Sequence, residues 1–463
     1  MKTNSIKNTI LITIVSVLLY SCSSTNQYTR SQDFSDGLYG TAPTTSESNL
    51  SDESWENLFN DPILDSLIAE GLQNNFDLQA AVQRVIAAES YFYQSKAALA
   101  PSLSAQAGYT YVRNSESTSP NGPKEYHASQ AVLQSSWEID FWGKLSNAKK
   151  AAYANYLATD AAHKAVQTRL IANIASVYYT LLALDANLEI TKATVKNSAE
   201  LVETLKALKE SGDVTGAAVV QSEAARYAAE VTIPDIEQQI KENENTLCLL
   251  LGRKQGTIER GKLDAQQAHG MLSIGVPSQL LDNRPDVMQA EYGVISAYQM
   301  TNSAKAYFYP SVTLTASAGV EALDLEDLFD PSSFAANIVG GLVQPIFNKR
   351  ANKTRLEVAK AQQEEALLNF KNTLLNAGAE VTDALSMYDA SLQKIELREK
   401  QLDALEKSVS YTKELLIYGS ATYTEVLNAQ QSLLNAQLND VNDRIQQLNA
   451  VVSLYRALGG GWR

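Results

Sequence analysis

Histidine and cysteine are almost missing from this 463-residue chain, which has three of the first and two of the second. His127, His163 and His269 are scattered without the spacing that metal ligands need, so a histidine-built zinc centre is excluded. No GxSxG turn and no glycine-rich phosphate loop after a strand is present, which argues against an enzyme. There is no run of Lys and Arg, and the net charge is −14. Phosphate contacts need clustered cations, so nucleic acid is excluded as a partner. Beyond the first twenty residues no stretch reaches ~18 consecutive apolar residues, the length of a bilayer-spanning helix. If the chain crosses a membrane, it does so with strands.

The N-terminus has a purpose of its own. Lys2 and Lys7 precede an apolar run from Thr9 to Tyr20, closed by Leu19-Tyr20-Ser21-Cys22. A charged start, a short apolar stretch and a small residue before the cut make residues 1–21 a signal peptide. Leu at −3, Ser at −1 and Cys at +1 form a lipobox, so Cys22 is expected to become the lipidated first residue. A covalent lipid is thus the one attached group expected; no cofactor is. With Cys22 acylated, Cys248 in Leu247-Cys-Leu-Leu-Leu251 has no disulfide partner and reads as a small buried hydrophobe. Residues 22–54, rich in Ser, Thr, Asn, Asp and Gly, read as an extended tether.

The remainder is written twice. Asn75-Phe76-Asp77-Leu78, Lys96-Ala97 and Pro101-Ser102-Leu103 return about 209 residues later as Arg284-Pro285-Asp286-Val287, Lys305-Ala306 and Pro310-Ser311-Val312. Further on, Gly212 matches Gly419, and Leu251-Gly252 matches Leu458-Gly459. The first repeat covers 55–265 and the second 266–463. A duplicated unit points to a symmetric scaffold rather than an enzyme cleft.

Each repeat opens with a helical stretch; Trp55 to Leu99 is mostly helical, with a start at Asp61-Pro62. Alternation then predicts strands over ~103–111 and ~312–320; their partners, ~129–139 and ~334–345, alternate less strictly but include Leu133, Trp137, Ile338 and Leu342. Leu103, Ala105, Ala107 and Tyr109 share one face, as do Val312, Leu314, Ala316 and Ala318, with small polar residues between them. Strands of about ten residues with one apolar face suit a lipid-spanning barrel, whose lipid side would be those apolar sets. Trp137, Trp142, Phe308 and Tyr309 lie near strand ends and are candidates for the interfacial aromatic girdle. Four strands cannot close a barrel, and an open edge in lipid leaves costly unpaired N–H and C=O groups. The chain must therefore oligomerise, a dimer giving eight strands or a trimer twelve.

Long helical hairpins follow, over ~145–250 and ~350–458. Leu145 to Glu210 holds no Pro or Gly, roughly 100 Å if helical throughout. Ile174, Val177, Leu181, Leu184, Leu188, Val195, Val202 and Leu205 keep coiled-coil spacing, with Thr191 and Ser198 filling the gaps. Gly212 and Gly419-Ser420 interrupt the pattern where a helix would stop and turn back.

Trp55-Glu-Asn-Leu-Phe-Asn-Asp-Pro62, Ser136-Trp-Glu-Ile-Asp-Phe-Trp-Gly-Lys144, Val276-Pro-Ser-Gln-Leu-Leu-Asp-Asn-Arg-Pro-Asp286 and Tyr455-Arg-Ala-Leu-Gly-Gly-Gly-Trp462 fall in order along the chain. In them the sequence resembles the TolC-like outer membrane factors, in the lipoprotein (OprM/NodT-type) branch. That resemblance implies an α+β membrane protein: a homotrimer whose twelve-stranded outer-membrane barrel, four strands per protomer, continues as a coiled-coil periplasmic tunnel. It also implies an exit channel of a tripartite efflux pump, engaged by a periplasmic adaptor and an inner-membrane RND-type transporter and passing drugs or other small molecules. A type I protein-secretion duct is the nearest alternative, and a pore-less coiled-coil surface lipoprotein the alternative from another class. Related channels place an Asp ring at the position of Asn428 and Arg/Tyr pairs before the turn, where this chain has Leu415 and Leu416. Closure of the periplasmic aperture is accordingly expected from rings of Tyr418, Tyr423 and Asn428, with Glu425 or Asp213 supplying negative charge.

Overall fold

The computed structural model describes residues 37–40, 50–115, 117, 124–266 and 277–463. The signal segment, Cys22 and His269 lie outside the described residues. The first repeat runs α1 (Trp55–Phe59), α2 (Pro62–Asn74), α3 (Phe76–Ala97), β1 (Ser102–Arg113), β2 (Glu125–Ile139), α4 (Lys144–Glu210), α5 (Gly216–Glu230) and α6 (Thr232–Leu250). The second runs α7 (Leu280–Asn283), α8 (Pro285–Ala306), β3 (Ser311–Ala322), β4 (Phe334–Val343), α9 (Ala351–Ile417) and α10 (Tyr423–Ala457). Among the described residues no helix is long and apolar enough to cross a membrane.

Local chemistry sets the breaks. The Asp61 carboxylate accepts from the backbone N–H of Ile63 at 2.9 Å and of Leu64 at 3.4 Å, capping α2, with Pro62 in its first turn. The returning helix expected without interruption to residue 250 is divided at Val231. Pro234 has no N–H for the carbonyl of residue 230, and its ring crowds that carbonyl.

The chain forms two compact units, each drawn from both repeats. One comprises 84–160 and 289–370; the other comprises 32–83, 161–288 and 371–463. The first unit holds one antiparallel sheet in the order β1-β2-β3-β4. Opposed residues share a face. The register therefore aligns Ala105, Leu133, Ala318 and Ala336 on one rung, and Ala107, Ala131, Val320 and Phe334 on another of that face. A rung of the opposite face is Ser104, Gln134, Ser317 and Asn337. Below the sheet, small polar side chains let helix backbones approach: Ser296 Oγ donates to the Ala151 carbonyl at 3.2 Å, and Thr301 Oγ1 to that of Ala359 at 3.1 Å.

The second unit is a helical body around Leu64, Ile68, Ile174, Tyr178, Leu181, Leu247, Leu251 and Leu374, all fully buried. The expected seam of α4 is there, including buried Thr191 and Ser198, but Ile171, Tyr178 and Leu182 widen it. Parts of the segment expected to be a free tether are docked. Tyr39 is 2% exposed and Leu50 is buried, and a Cβ on Gly378 would come within 2.8 Å of the Leu38 carbonyl. These apolar side chains gain more against the helices than in water.

Both repeats close at the same joint. Helix α6 ends with Gly252 in the left-handed region (φ +68), and α10 ends with Gly459 (φ +88). Arg253 N–H returns to the Cys248 carbonyl at 3.0 Å and Gly460 N–H to that of Tyr455 at 2.9 Å, the two Schellman closures. A Cβ on either glycine would overlap a backbone carbonyl, of Asn74 or of Asn283. The residues after those carbonyls complete the joint. Asn75 Nδ2 donates to the Leu250 carbonyl at 2.9 Å, and Arg284 Nη1 donates to that of Ala457 at 3.0 Å. Arg284 is buried, yet its hydrogen bonds to Asp286 (2.6 Å) and Glu380 (2.9 Å) outweigh that burial and keep the guanidinium charged.

Gly419 supplies the control, because its φ is +68 but nothing lies within 4 Å of a Cβ built there. Gly419→Ala should cost only the left-handed conformation, ~1–2 kcal/mol. Gly459→Ala and Gly252→Ala should cost clearly more, because a carbonyl must also move. Thermal denaturation of the solubilised protein should rank the three in that order; equal losses would refute the joint.

Candidate functional site

The turns that end α4 and α9 are built alike. Gly212 (φ +87) and Gly419 (φ +68) terminate the helices, and the next N–H reaches back, Asp213 to the Leu208 carbonyl and Ser420 to that of Leu415, both at 2.9 Å. A small apolar cluster ties the two turns together: Leu201, Val202, Leu205 and Val219 of the first repeat with Leu416 and Val426 of the second. Leu416, expected at a position without the usual polar residue, is buried in this cluster.

The five aperture candidates are placed differently by this arrangement. Tyr418 is 75% exposed at the end of α9. Tyr423, the first residue of α10, donates its hydroxyl to Gln221 Oε1 of α5 at 2.7 Å, so its ring spans the two repeats. Asp213, in the turn after α4, and Asn428, in the second turn of helix α10, are both exposed. Glu425 acts locally. Its carboxylate accepts from the Thr422 N–H at 2.6 Å and hydroxyl at 3.0 Å, while its own N–H donates to Thr422 Oγ1 at 3.4 Å. That capping box holds its carboxyl below the usual range, chiefly through the Thr422 backbone N–H. The Thr-x-x-Glu spacing is legible in the sequence, whereas Gln221, 202 positions from Tyr423, is not.

Charge pairs fasten the hairpins along their length. Arg398 of α9 meets Asp443 of α10 at 2.9 Å, with Lys394 at 3.9 Å; Asp443 is buried, so the pair is a fixed one. On the other hairpin Lys206 lies 3.5 Å from Glu223. Sequence inspection missed these residues, because their spacing along the chain carries no sign of contact.

The four aromatic candidates gather at one end of the sheet. Trp137 Nε1 donates to the Leu99 carbonyl at 2.9 Å and Trp142 Nε1 to that of Pro310 at 2.8 Å. Trp142 stacks on Tyr309 with ring centroids 4.8 Å apart, and Phe308 and Tyr309 are exposed. Amphipathic rings satisfied on their polar side and open on the other suit a membrane–water boundary. At the opposite end His127 meets the Tyr109 hydroxyl at 2.5 Å, stacks on that ring, and lies tilted against Tyr111. No group of three or more His, Cys, Asp or Glu among the described residues has the geometry of a metal site.

Comparison with known proteins agrees with this architecture. The probable outer membrane lipoprotein SilC of Salmonella typhimurium is 32% identical over 424 residues, 90% of each chain. The cation efflux system protein CusC of Escherichia coli strain K12 is 31% identical over 420 residues, 89% of this chain and 90% of that one. The solvent efflux pump outer membrane protein SrpC of Pseudomonas putida is 30% identical over 406 residues, 87% and 86% of the two chains. A solved CusC chain matches with a TM-score of 0.85 at 27% identity, covering 95% of this chain and all of that one. The sequence model of the outer membrane efflux protein family matches once per repeat, over 67–253 and 276–460, and the chain belongs to that family.

Proposed function

We propose that this protein is one protomer of a homotrimeric outer-membrane exit channel, passively conducting small molecules delivered through a periplasmic adaptor by an inner-membrane RND-type transporter. The observation that carries the reading is the sheet: among the described residues it has four strands, one face of mostly apolar rungs, and outer strands β1 and β4 each paired on one side only. In hydrocarbon such edges cost several kcal/mol for each unpaired group. Three copies give twelve strands and no edge. The helices support the same assembly, because Leu375, Leu397, Tyr411 and Tyr418 stay exposed on or beside α9 as apolar surface for a neighbouring copy. No catalysis is involved; the family is one of efflux channels. Relatives named for cations and for solvents share this architecture, so the duct does not choose its cargo and selection falls to the transporter. Family membership and the sheet displace the pore-less surface lipoprotein, and no observation favours a protein-secretion duct.

The barrel reading is tested by adjacent substitutions on opposite faces. Leu314 shares a rung with Trp137 and Gly340, and Thr315 with Ser136 and Val339. Leu314→Lys should cost about 2–4 kcal/mol against mid-bilayer lipid, while Thr315→Lys should be tolerated. Folding into vesicles measures both, and equal tolerance would remove the barrel.

At the turns, Tyr418, Tyr423 and Asn428 form the aperture rings, with Asp213 as the exposed carboxylate and Glu425 holding the cap. Single-channel conductance should rise for Tyr423→Ala and Asn428→Ala. Tyr423→Phe, which deletes only the bond to Gln221, should rise less if ring bulk closes the path. Unchanged conductance in all three places the gate elsewhere.

Cys22 carries the lipid as an auxiliary anchor, a role supported by the lipobox and by a relative named as a lipoprotein. Cys22→Ala should abolish acyl labelling and leave trimers intact on a native gel. Loss of all trimer would make the lipid, rather than the barrel, the principal anchor.

A further inference from the structure

Where the strands hand over to the long helices, the chain concentrates positive charge against its own average. Residues 144–150 and 349–355 hold seven Lys and Arg and no Asp or Glu, in a chain of net charge −14. The other end is acidic, with Glu321 at the end of β3 and Asp324, Glu326, Asp327 and Asp330 in the loop to β4. Register puts both basic stretches at the same end of the sheet. Ile139, Val312 and Leu342 lie on one rung, so β2 and β4 leave the sheet together, about 10 Å apart across β3.

The connection after β4 is unusual in two ways. Ile346 is 99% and Phe347 86% exposed, continuing the exposed apolar residues Leu342 and Val343 of the strand. Directly after Asn348, Lys349 (φ 53) and Arg350 (φ 69) both occupy the left-handed region, where the first junction uses Gly143 (φ 73). Two consecutive non-glycine residues are thus held in a conformation that favours glycine. Arg350 pairs with Glu357 at 2.9 Å and Lys353 approaches the same carboxylate at 3.9 Å, yet both cations remain more than 60% exposed. Arg355 lies over the Tyr307 ring at 3.8 Å, and Lys144 is paired with Glu138 at 2.5 Å. Lys349, Lys149 and Lys150 have no ion-pair partner among the described residues.

We propose that Ile346 and Phe347, with Lys349, Arg350, Lys149 and Lys150 behind them, form a binding site for the headgroups of anionic phospholipids at the membrane boundary. The apolar pair enters the acyl region while the ammonium and guanidinium groups meet the phosphates, the division of labour that cationic side chains at a lipid surface permit. Inorganic phosphate would need the cations but not two bare apolar side chains beside them. The site rests on the membrane placement of the sheet proposed above.

The test uses the full-length protein, with phosphatidylglycerol and phosphatidylethanolamine as probes at equal concentration in mixed micelles, and native mass spectrometry to count retained lipid. The wild type should retain phosphatidylglycerol several-fold over phosphatidylethanolamine. Lys349→Gly/Arg350→Gly removes the charges and relieves the backbone, so it should fold at least as well and lose that preference by about threefold or more. Lys149→Gln/Lys150→Gln should lower it as well. An unchanged ratio in both variants overturns the site. So does dissociation of the oligomer at unchanged ratio, which would give the patch to a second copy of the chain. Insertion into vesicles is scored in parallel: a wild type that fails to insert brings down the barrel reading and this site with it, whereas normal insertion without lipid preference removes the site alone.

Discussion

Each repeat depends on a contact that only a residue without a side chain permits. The last helix of a repeat must end with its C-terminus against the backbone that precedes the first long helix, and the carbonyls of Asn74 and Asn283 occupy the space a Cβ would need at Gly252 and Gly459. Left-handed φ values close both helix ends, and the side chains of Asn75 and Arg284 collect carbonyls that closure leaves open. The duplicated chain thus makes the same joint twice with different donors. The second is the more demanding, since a buried guanidinium loses hydration that Asp286 and Glu380 have to offset.

The sheet and the helical turns follow opposite rules. In the sheet, most opposed residues across the four strands agree in character, so a largely apolar and a largely polar face emerge from residues far apart in sequence. A slip of one residue would reverse every one of them. At the turns, structure is mostly local: Gly212 and Gly419 stop helices, and Thr422 with Glu425 starts one. What joins the turns is the apolar cluster of Leu201, Leu205, Leu416 and Val426 and the bond from Tyr423 to Gln221. An aperture hinged on a few apolar side chains and one hydrogen bond is a low-energy element. Elements held by so few contacts open at the low end of a protein's local stability range.

Much of this was written in the one-dimensional pattern. Alternation located β1 and β3, because a pleated strand exposes successive side chains to opposite faces, and placed β2 and β4 as their partners, the last ending at Val343 rather than 345. The helix breaks at Asp61-Pro62, Gly212 and Gly419 were legible as cap and turn chemistry, and the internal repeat gave the duplicated scaffold. Val231 escaped notice because Pro234 lies three residues inside the next helix, where its effect falls on the carbonyl of residue 230. The docking of Leu38 and Tyr39 escaped notice because their neighbours in sequence are mostly small or polar.

Only the tertiary structure decided which residues meet. Glu425, expected with Asp213 as a source of negative charge at the turn, has its carboxylate held by Thr422, and Leu416 is buried. Gln221, Asp443 and Arg284 gained their roles from partners 202, 45 and 173 positions away. Sequence alone determined the elements, the repeat and the family, because periodicity, capping and turns act over a few residues. The joint at each glycine, the pairing of the turns and the junction at the end of β4 were settled by packing, because contacts between distant residues leave no period in the chain.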